Sequence, residues 1–311
     1  MRRFMPFDSI ESVRQAMESE NYIADDPIAT TVFLALRMKK PILIEGEPGS
    51  GKTEVAKVLA RMLDTELIRL QCYEGLDANM ALYEWDYPRQ MLRIRMEEAG
   101  ESSKEEIESA IFSERYLLKR PLLKAITHEG DRPAVLLIDE VDRADDEFEG
   151  FLLEVLSDFQ VTIPEIGTIK ARNHPVVCLT SNESREIGDA LKRRCLYVYI
   201  PHPTFEKEYK IIRAKVPDVP EKLARQICSF MQEARSLTLM KKPGIAETLD
   251  WATALLSLSE DELNLQAVQR TMGSIIKQKD DFKKVNEEKL ATILTEIGKK
   301  KRGEGVPSRG R

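Results

Sequence analysis

Five short apolar runs punctuate the chain up to residue 200: Pro41–Ile44, Leu67–Cys72, Ala134–Ile138, Pro175–Thr180 and Leu196–Ile200. They are rich in Val, Ile and Leu, and three show no polar alternation, which is how strands covered on both faces read. The segments between them carry a helical period instead. Val55, Val58, Leu59, Met62 and Leu63 share one face after the first run, and Phe151, Leu152, Val155 and Leu156 do so after the third. Strand, loop and helix in alternation predict an α/β fold with a mainly parallel five-stranded sheet flanked by helices.

The pattern changes at Pro201-His202-Pro203, where two prolines in three residues interrupt any continuous helix or strand. Beyond it the apolar spacing is helical throughout, over Phe205–Val216, Glu221–Ala234, Ile245–Leu258, Leu265–Lys277 and Glu288–Ile297. The expected organisation is an α/β domain over 1–203, a helical domain over 204–298 and a basic tail over 299–311. That tail opens Lys299-Lys300-Lys301-Arg302 and continues through glycines, which reads as solvated and disordered.

Composition narrows the function classes. Charged residues make up 32% of 311, with a formal balance of −6, a poor electrostatic match for nucleic acid, whose binders normally show a basic excess. The longest apolar stretches, such as Val32–Leu36, are too short to span a membrane. No signal-peptide stretch opens the chain, and the four cysteines, Cys72, Cys178, Cys195 and Cys228, have no metal-pair spacing. They read as reduced, mostly buried thiols of a cytoplasmic protein. His128, His174 and His202 form no metal signature; Trp85 and Trp251 read as packing residues. The acidic stretch Asp142–Glu149 reads as a solvated helix start, where carboxylates suit the helix dipole.

The chemistry concentrates in Gly46-Glu47-Pro48-Gly49-Ser50-Gly51-Lys52-Thr53, a full match to the phosphate-binding loop pattern between an apolar run and an amphipathic helix, and Glu54 directly after it is counted with the nucleotide-binding set. Glycines let backbone N–H groups close on phosphate oxygens, and the helix N-terminus adds positive dipole. In this pattern Lys52 reaches the β- and γ-phosphates of ATP and Thr53 ligates Mg²⁺. Val135–Ile138 ends in Asp139-Glu140. Alone, that is equally a strand ending in solvated acids; beside a P-loop it reads as a metal carboxylate, Asp139, and a base for the attacking water, Glu140. Asn182 follows the fourth run, as a γ-phosphate sensor or a helix cap. Lys192-Arg193-Arg194 precedes the fifth, as a solvated charge run or an arginine finger acting on a neighbour's site.

These elements, in this order, resemble the AAA+ superfamily, and within it the MoxR family and its CoxD-like branch. The resemblance is carried by Pro41–Glu54, Arg69–Leu92, Val135–Ala144, Asp189–Tyr197 and Lys242–Leu255, and spans Phe7 to Ile297. It implies sheet order 5-1-4-3-2, a homo-hexameric ring with ATP between subunits and a helical lid. It places adenine near Tyr22, Ile23 and Ala24, an insert around Gly100–Phe112, a hairpin over Gln160–Ala171, and sensor 1 at Asn182. It also implies a chaperone-like remodeller working with a von Willebrand factor A domain protein on a metalloenzyme client. Two positions depart from the pattern. Arg194, which fits the finger slot best with Arg193 as the alternative, precedes Cys195 instead of an aromatic. The region where a sensor 2 arginine is sought reads Pro243-Gly244-Ile245-Ala246-Glu247, with Lys241 and Lys242 the neighbouring cations.

Overall fold

The computed structural model describes residues 6–97, 104–285 and 287–303. Contacts divide the chain into two units. The first runs through Glu20, then Ala24–Gly46 and Lys52–Tyr199; the second joins Asn21–Ile23 and Glu47–Gly51 to the chain from Ile200 onward.

The first unit is built on a five-stranded parallel sheet of β1 (Ile42–Gly46), β2 (Leu67–Gln71), β3 (Val135–Asp139), β4 (Val176–Ser181) and β5 (Leu196–Ile200). Their spatial order is β2-β3-β4-β1-β5, which from the other edge is 5-1-4-3-2. The β2–β3, β3–β4 and β4–β1 ladders are parallel, with Gln71 opposite Asp139 and Ile44 opposite Thr180. Helices α1 (Ile10–Ser19), α2 (Asp26–Met38), α3 (Lys52–Met62), α4 (Asp146–Asp158) and α5 (Asp189–Arg194) accompany it. Interior strands β3 and β4 explain their unbroken apolar runs: all of β3 is buried, as are Val177, Cys178 and Leu179 of β4. Edge strand β2 alternates instead, with Ile68 and Leu70 buried and Arg69 exposed between them. A hairpin pairs Gln160–Ile163 with Gly167–Lys170. A second, three residues to a strand, pairs Tyr83–Trp85 with Leu117–Lys119, too short to be seen as apolar periodicity. Trp85 packs edge-on against Tyr83 and Phe112.

The described part of the second unit beyond β5 is helical: α6 (Phe205–Lys215), α7 (Glu221–Ser236), α8 (Ile245–Ser257), α9 (Leu265–Thr271), a short helix over Lys279–Lys284, and α10 (Glu287–Gly303). The continuous helix expected over Leu265–Lys277 stops at Thr271 and tightens into a 3₁₀ turn at Met272–Ser274, where Gly273 lowers helical propensity. Trp251 is fully buried against Phe230, and its indole N–H donates to Thr271 Oγ1 at 2.7 Å. A buried ion pair ties three helices together. Arg235 of α7 donates to both oxygens of Glu208 on α6, at 2.6 and 2.8 Å, and to the Pro243 carbonyl at 2.7 Å, while Thr248 of α8 donates to Glu208 at 2.6 Å. Residues 299–303 continue α10; the rest of the expected tail, like 100–103 of the expected insert, lies outside the described residues.

Candidate active site

Four of the first unit's strand ends bring the site together. β1 feeds the loop 46–53, β3 ends at Asp139, β4 ends one residue past Thr180, and β2 presents Arg69 and Gln71. In a parallel sheet these carboxyl ends are where a ligand crevice forms. Lys52, at the start of α3, is buried and donates to the Gly46 carbonyl at 2.5 Å. Thr53 Oγ1 donates to Asp139 Oδ1 at 3.1 Å, so the two predicted metal residues stand together although 86 residues apart.

Asp139 is buried and heavily engaged. Its Oδ1 also accepts from Thr180 Oγ1 at 2.5 Å, and its Oδ2 from the Arg69 guanidinium at 2.6 Å. Thr180 Oγ1 in turn accepts the Glu140 N–H at 2.9 Å. Glu140 has φ +55 and ψ +51, a left-handed conformation unusual for a residue with a side chain. Its Oε2 accepts from the Gln71 amide at 3.2 Å and from Arg143 at 3.1 Å. The Cys72 thiol beside this cluster is pushed up to about 12, first by burial and then by the charges of Asp139, Asp142 and Glu140.

Asn182 follows β4, and its backbone N–H donates to Asp142 Oδ2 at 3.2 Å. The same oxygen takes the Ser184 N–H and hydroxyl at 2.9 and 2.6 Å. Asp142 and Glu149 are buried anchors, which corrects the expectation of a solvated acidic run: Glu149 accepts from Arg185 and from the Gly188 N–H. Asp145 is the helix cap in that stretch, accepting the Phe148 N–H at 2.8 Å. On α5, Arg194 donates to the Leu153 carbonyl and the Ser157 hydroxyl of α4. Arg193 is exposed and makes no hydrogen bond or ion pair among the described residues. Glu54, counted with the nucleotide set, is paired with Arg61 at 3.3 Å. Ala24 is buried just ahead of α2.

In the second unit, Gly49 and Gly51 have φ of +75 and +94, which glycine alone adopts without strain. Glu47 and Pro48 are exposed and half-buried Ile23 belongs to this unit. The Ser50 hydroxyl is buried without a partner among the described residues. Gly49 packs on Gly244, whose added Cβ would stand 2.7 Å from the Gly49 carbonyl oxygen. The Ile245 N–H donates to that oxygen at 2.9 Å, and Glu247 caps α8 by accepting the Gly244 N–H at 2.9 Å. The Lys241 N–H is committed to Asp281.

The buried, unanswered Ser50 hydroxyl and the positive-φ glycines suit a phosphate, and a carboxylate carrying two hydroxyl donors suits a hydrated metal. Sequence reading missed Arg69, Gln71, Thr180 and Asp142. The signal for the first two lay in β2, where polar residues alternate with Ile68 and Leu70.

A parallel sheet in this strand order, with a glycine loop running into a helix and an acidic pair at the end of the interior strand β3, is the P-loop AAA+ fold. Residues 41–195 match the family model for the AAA domain, dynein-related subfamily. It is similar to an uncharacterized protein of Staphylococcus haemolyticus, 26% identical over 84% of this chain and 92% of the relative. A similar protein of Staphylococcus epidermidis is 27% identical over 80% and 89%. Among solved structures, the Thermotoga maritima RuvB Holliday junction branch migration motor superposes with TM-score 0.45 at 17% identity, covering 87% of this chain and 72% of that one. A putative ATPase from Cytophaga hutchinsonii gives TM-score 0.41 at 15% identity over 92% and 95%. Among the described residues no helix is long and apolar enough to cross a membrane.

Proposed function

We propose that this protein binds ATP with Mg²⁺ and hydrolyses it, as a MoxR-like AAA+ remodeller that works in a ring. The observation that carries the reading is the convergence of Thr53, Thr180 and Glu140 on Asp139 through one chain of hydrogen bonds. In this reading the loop from Gly46 to Thr53 holds the phosphates, with Lys52 on the β- and γ-oxygens. Thr53 and Asp139 hold the cation, which when bound neutralises charge on those oxygens. Glu140 polarises the attacking water once Gln71 and Arg143 release it, and Thr180 fixes the backbone that aims it. Asp142 holds the turn that places Asn182. The pair Arg193-Arg194 supplies the finger in trans; Arg194 must first leave Leu153 and Ser157, whereas Arg193 is already unbound. A homo-hexamer, a von Willebrand factor A domain partner and a metalloenzyme client rest on the MoxR resemblance. The net charge of −6 weighs against a nucleic-acid motor.

The test is ATP turnover against protein concentration for wild type, Glu140→Gln, Arg193→Ala and Arg194→Ala. Specific activity is expected to rise with concentration. Glu140→Gln should lower it by about 10²–10⁴ while ATP still binds, and one arginine variant should be inactive until mixed with Glu140→Gln subunits. A second reading, a nucleotide-dependent scaffold with little hydrolysis, is favoured by Glu140 being held by Gln71 and Arg143 and by the absence of arginine over 243–247. Turnover that is flat with concentration and no higher than that of Lys52→Ala would establish it.

A further inference from the structure

Arg69 sits at this site with no part in the chemistry assigned above. It stands two residues before Gln71 on β2, so both occupy the same side of the strand, and Gln71 lies opposite Asp139 in the ladder. From there the Arg69 guanidinium reaches diagonally to Asp139 Oδ2 at 2.6 Å and to Gln71 Oε1 at 2.5 Å. The other Asp139 oxygen is taken by the two threonine hydroxyls. The pair is asymmetric: the Asp139 side chain is 5% exposed and that of Arg69 53%. The carboxylate cannot leave, and a buried carboxylate without compensating charge is costly. The guanidinium, weakly hydrated and on a long stem, can withdraw into solvent at small cost.

We propose that Arg69 is a tethered counter-cation for the metal carboxylate. It neutralises Asp139 while no divalent ion is bound, and it gives up Oδ2 when one arrives. The arginine and a divalent cation compete for the same carboxylate, so Arg69 sets how much Mg²⁺ is needed to load the site. Gln71 keeps the withdrawn guanidinium on the strand: its Oε1 accepts from Arg69 while its amide N–H donates to Glu140. Gln71 therefore links the position of Arg69 to that of the proposed base.

The inference rests on reading Asp139 as the metal carboxylate, and the experiment separates the two. Binding of a fluorescent ATP analogue is titrated with MgCl₂, and separately measured in EDTA, for wild type, Arg69→Met, Arg69→Lys and Asp139→Asn. Thermal melts in EDTA accompany each. Because solvent around the half-exposed Arg69 screens its pull on Asp139, Arg69→Met should lower the half-saturating Mg²⁺ by about three- to fivefold. Its affinity in EDTA should be unchanged, and its melting temperature in EDTA should fall below wild type and recover with MgCl₂ alone. Arg69→Lys should stay near wild type. An unchanged Mg²⁺ requirement in Arg69→Met overturns the proposal. So does an equal loss of nucleotide affinity with and without Mg²⁺, which would make Arg69 a phosphate ligand. If Asp139→Asn keeps the full Mg²⁺ response, the reading of the metal site itself fails.

Discussion

Thr180 carries two roles on one oxygen: its hydroxyl hydrogen goes to Asp139 and its lone pair takes the Glu140 N–H. Valine at this position keeps the shape and loses both bonds, leaving a buried carboxylate short of a donor and a left-handed peptide short of an acceptor. Thr180→Val should lower ATP turnover by about 10²-fold, by analogy with loss of one preorganised polar group at an active site. It should also cost about 1–3 kcal/mol in denaturant unfolding, the usual penalty for a buried group left unsatisfied. If Thr180→Val turns over ATP like wild type, the Asp139–Thr180–Glu140 chain is structural. Serine restores the hydroxyl and should recover most of the activity. Residue by residue, the sequence disclosed what is contiguous. Gly46–Thr53 and Asp139-Glu140 are readable because spacing along the chain is the chemistry. Thr180 and Arg69 were not, since they meet Asp139 from 41 and 70 residues away and each looks ordinary in its own strand.

Among the elements, the second unit depends on the Glu208–Arg235 pair, which joins α6 to α7 and, through Thr248, to α8. With both side chains almost wholly inaccessible, removing one partner strands the other. Arg235→Met is therefore expected to destabilise by about 3–5 kcal/mol, read from the denaturant midpoint of the full chain. A loss below about 1 kcal/mol would mean that Glu208 is taken up by Gln232 and Thr248 alone. Glu208 and Arg235 are two charges inside apolar helical patterns, and periodicity alone reads them as surface positions. Strand identities were legible because β3 and β4 are buried on both faces and carry continuous apolar runs. The Tyr83–Trp85 hairpin was not, because three residues show no period, and neither was the stop at Thr271, which a single Gly273 marks only weakly.

For the whole molecule, stability and loop order depend on contacts far apart in sequence. Asp281, in the short helix after α9, accepts the Met240 N–H at 2.9 Å and the Lys241 N–H at 3.1 Å. The Met240 bond is the leading cause of its carboxyl lying below its ordinary value of 3.8. A folded-state value below the unfolded one adds stability that is present above pH 3.8 and lost as pH falls through the folded-state value. Asp281→Asn should accordingly be less stable than wild type at neutral pH, with the gap closing in acid; a gap that is constant from neutral pH into acid would show that the ionised form is not what the two N–H groups select. The proline pair at 201 and 203 stands between the last strand of the sheet and the helices that follow. It did not reveal that Glu47–Gly51 is grouped by its contacts with the helical unit, because a loop's contacts leave no periodicity.

Gly244 has a final consequence. With the Gly49 carbonyl oxygen 2.7 Å from where its Cβ would stand, the position has room for no side chain, so an arginine cannot be installed there by point substitution without moving the start of α8. What passes between the phosphate loop and this helix passes from peptide to peptide. Such a joint works by fit, and added salt, which silences conversations between charges, leaves it audible.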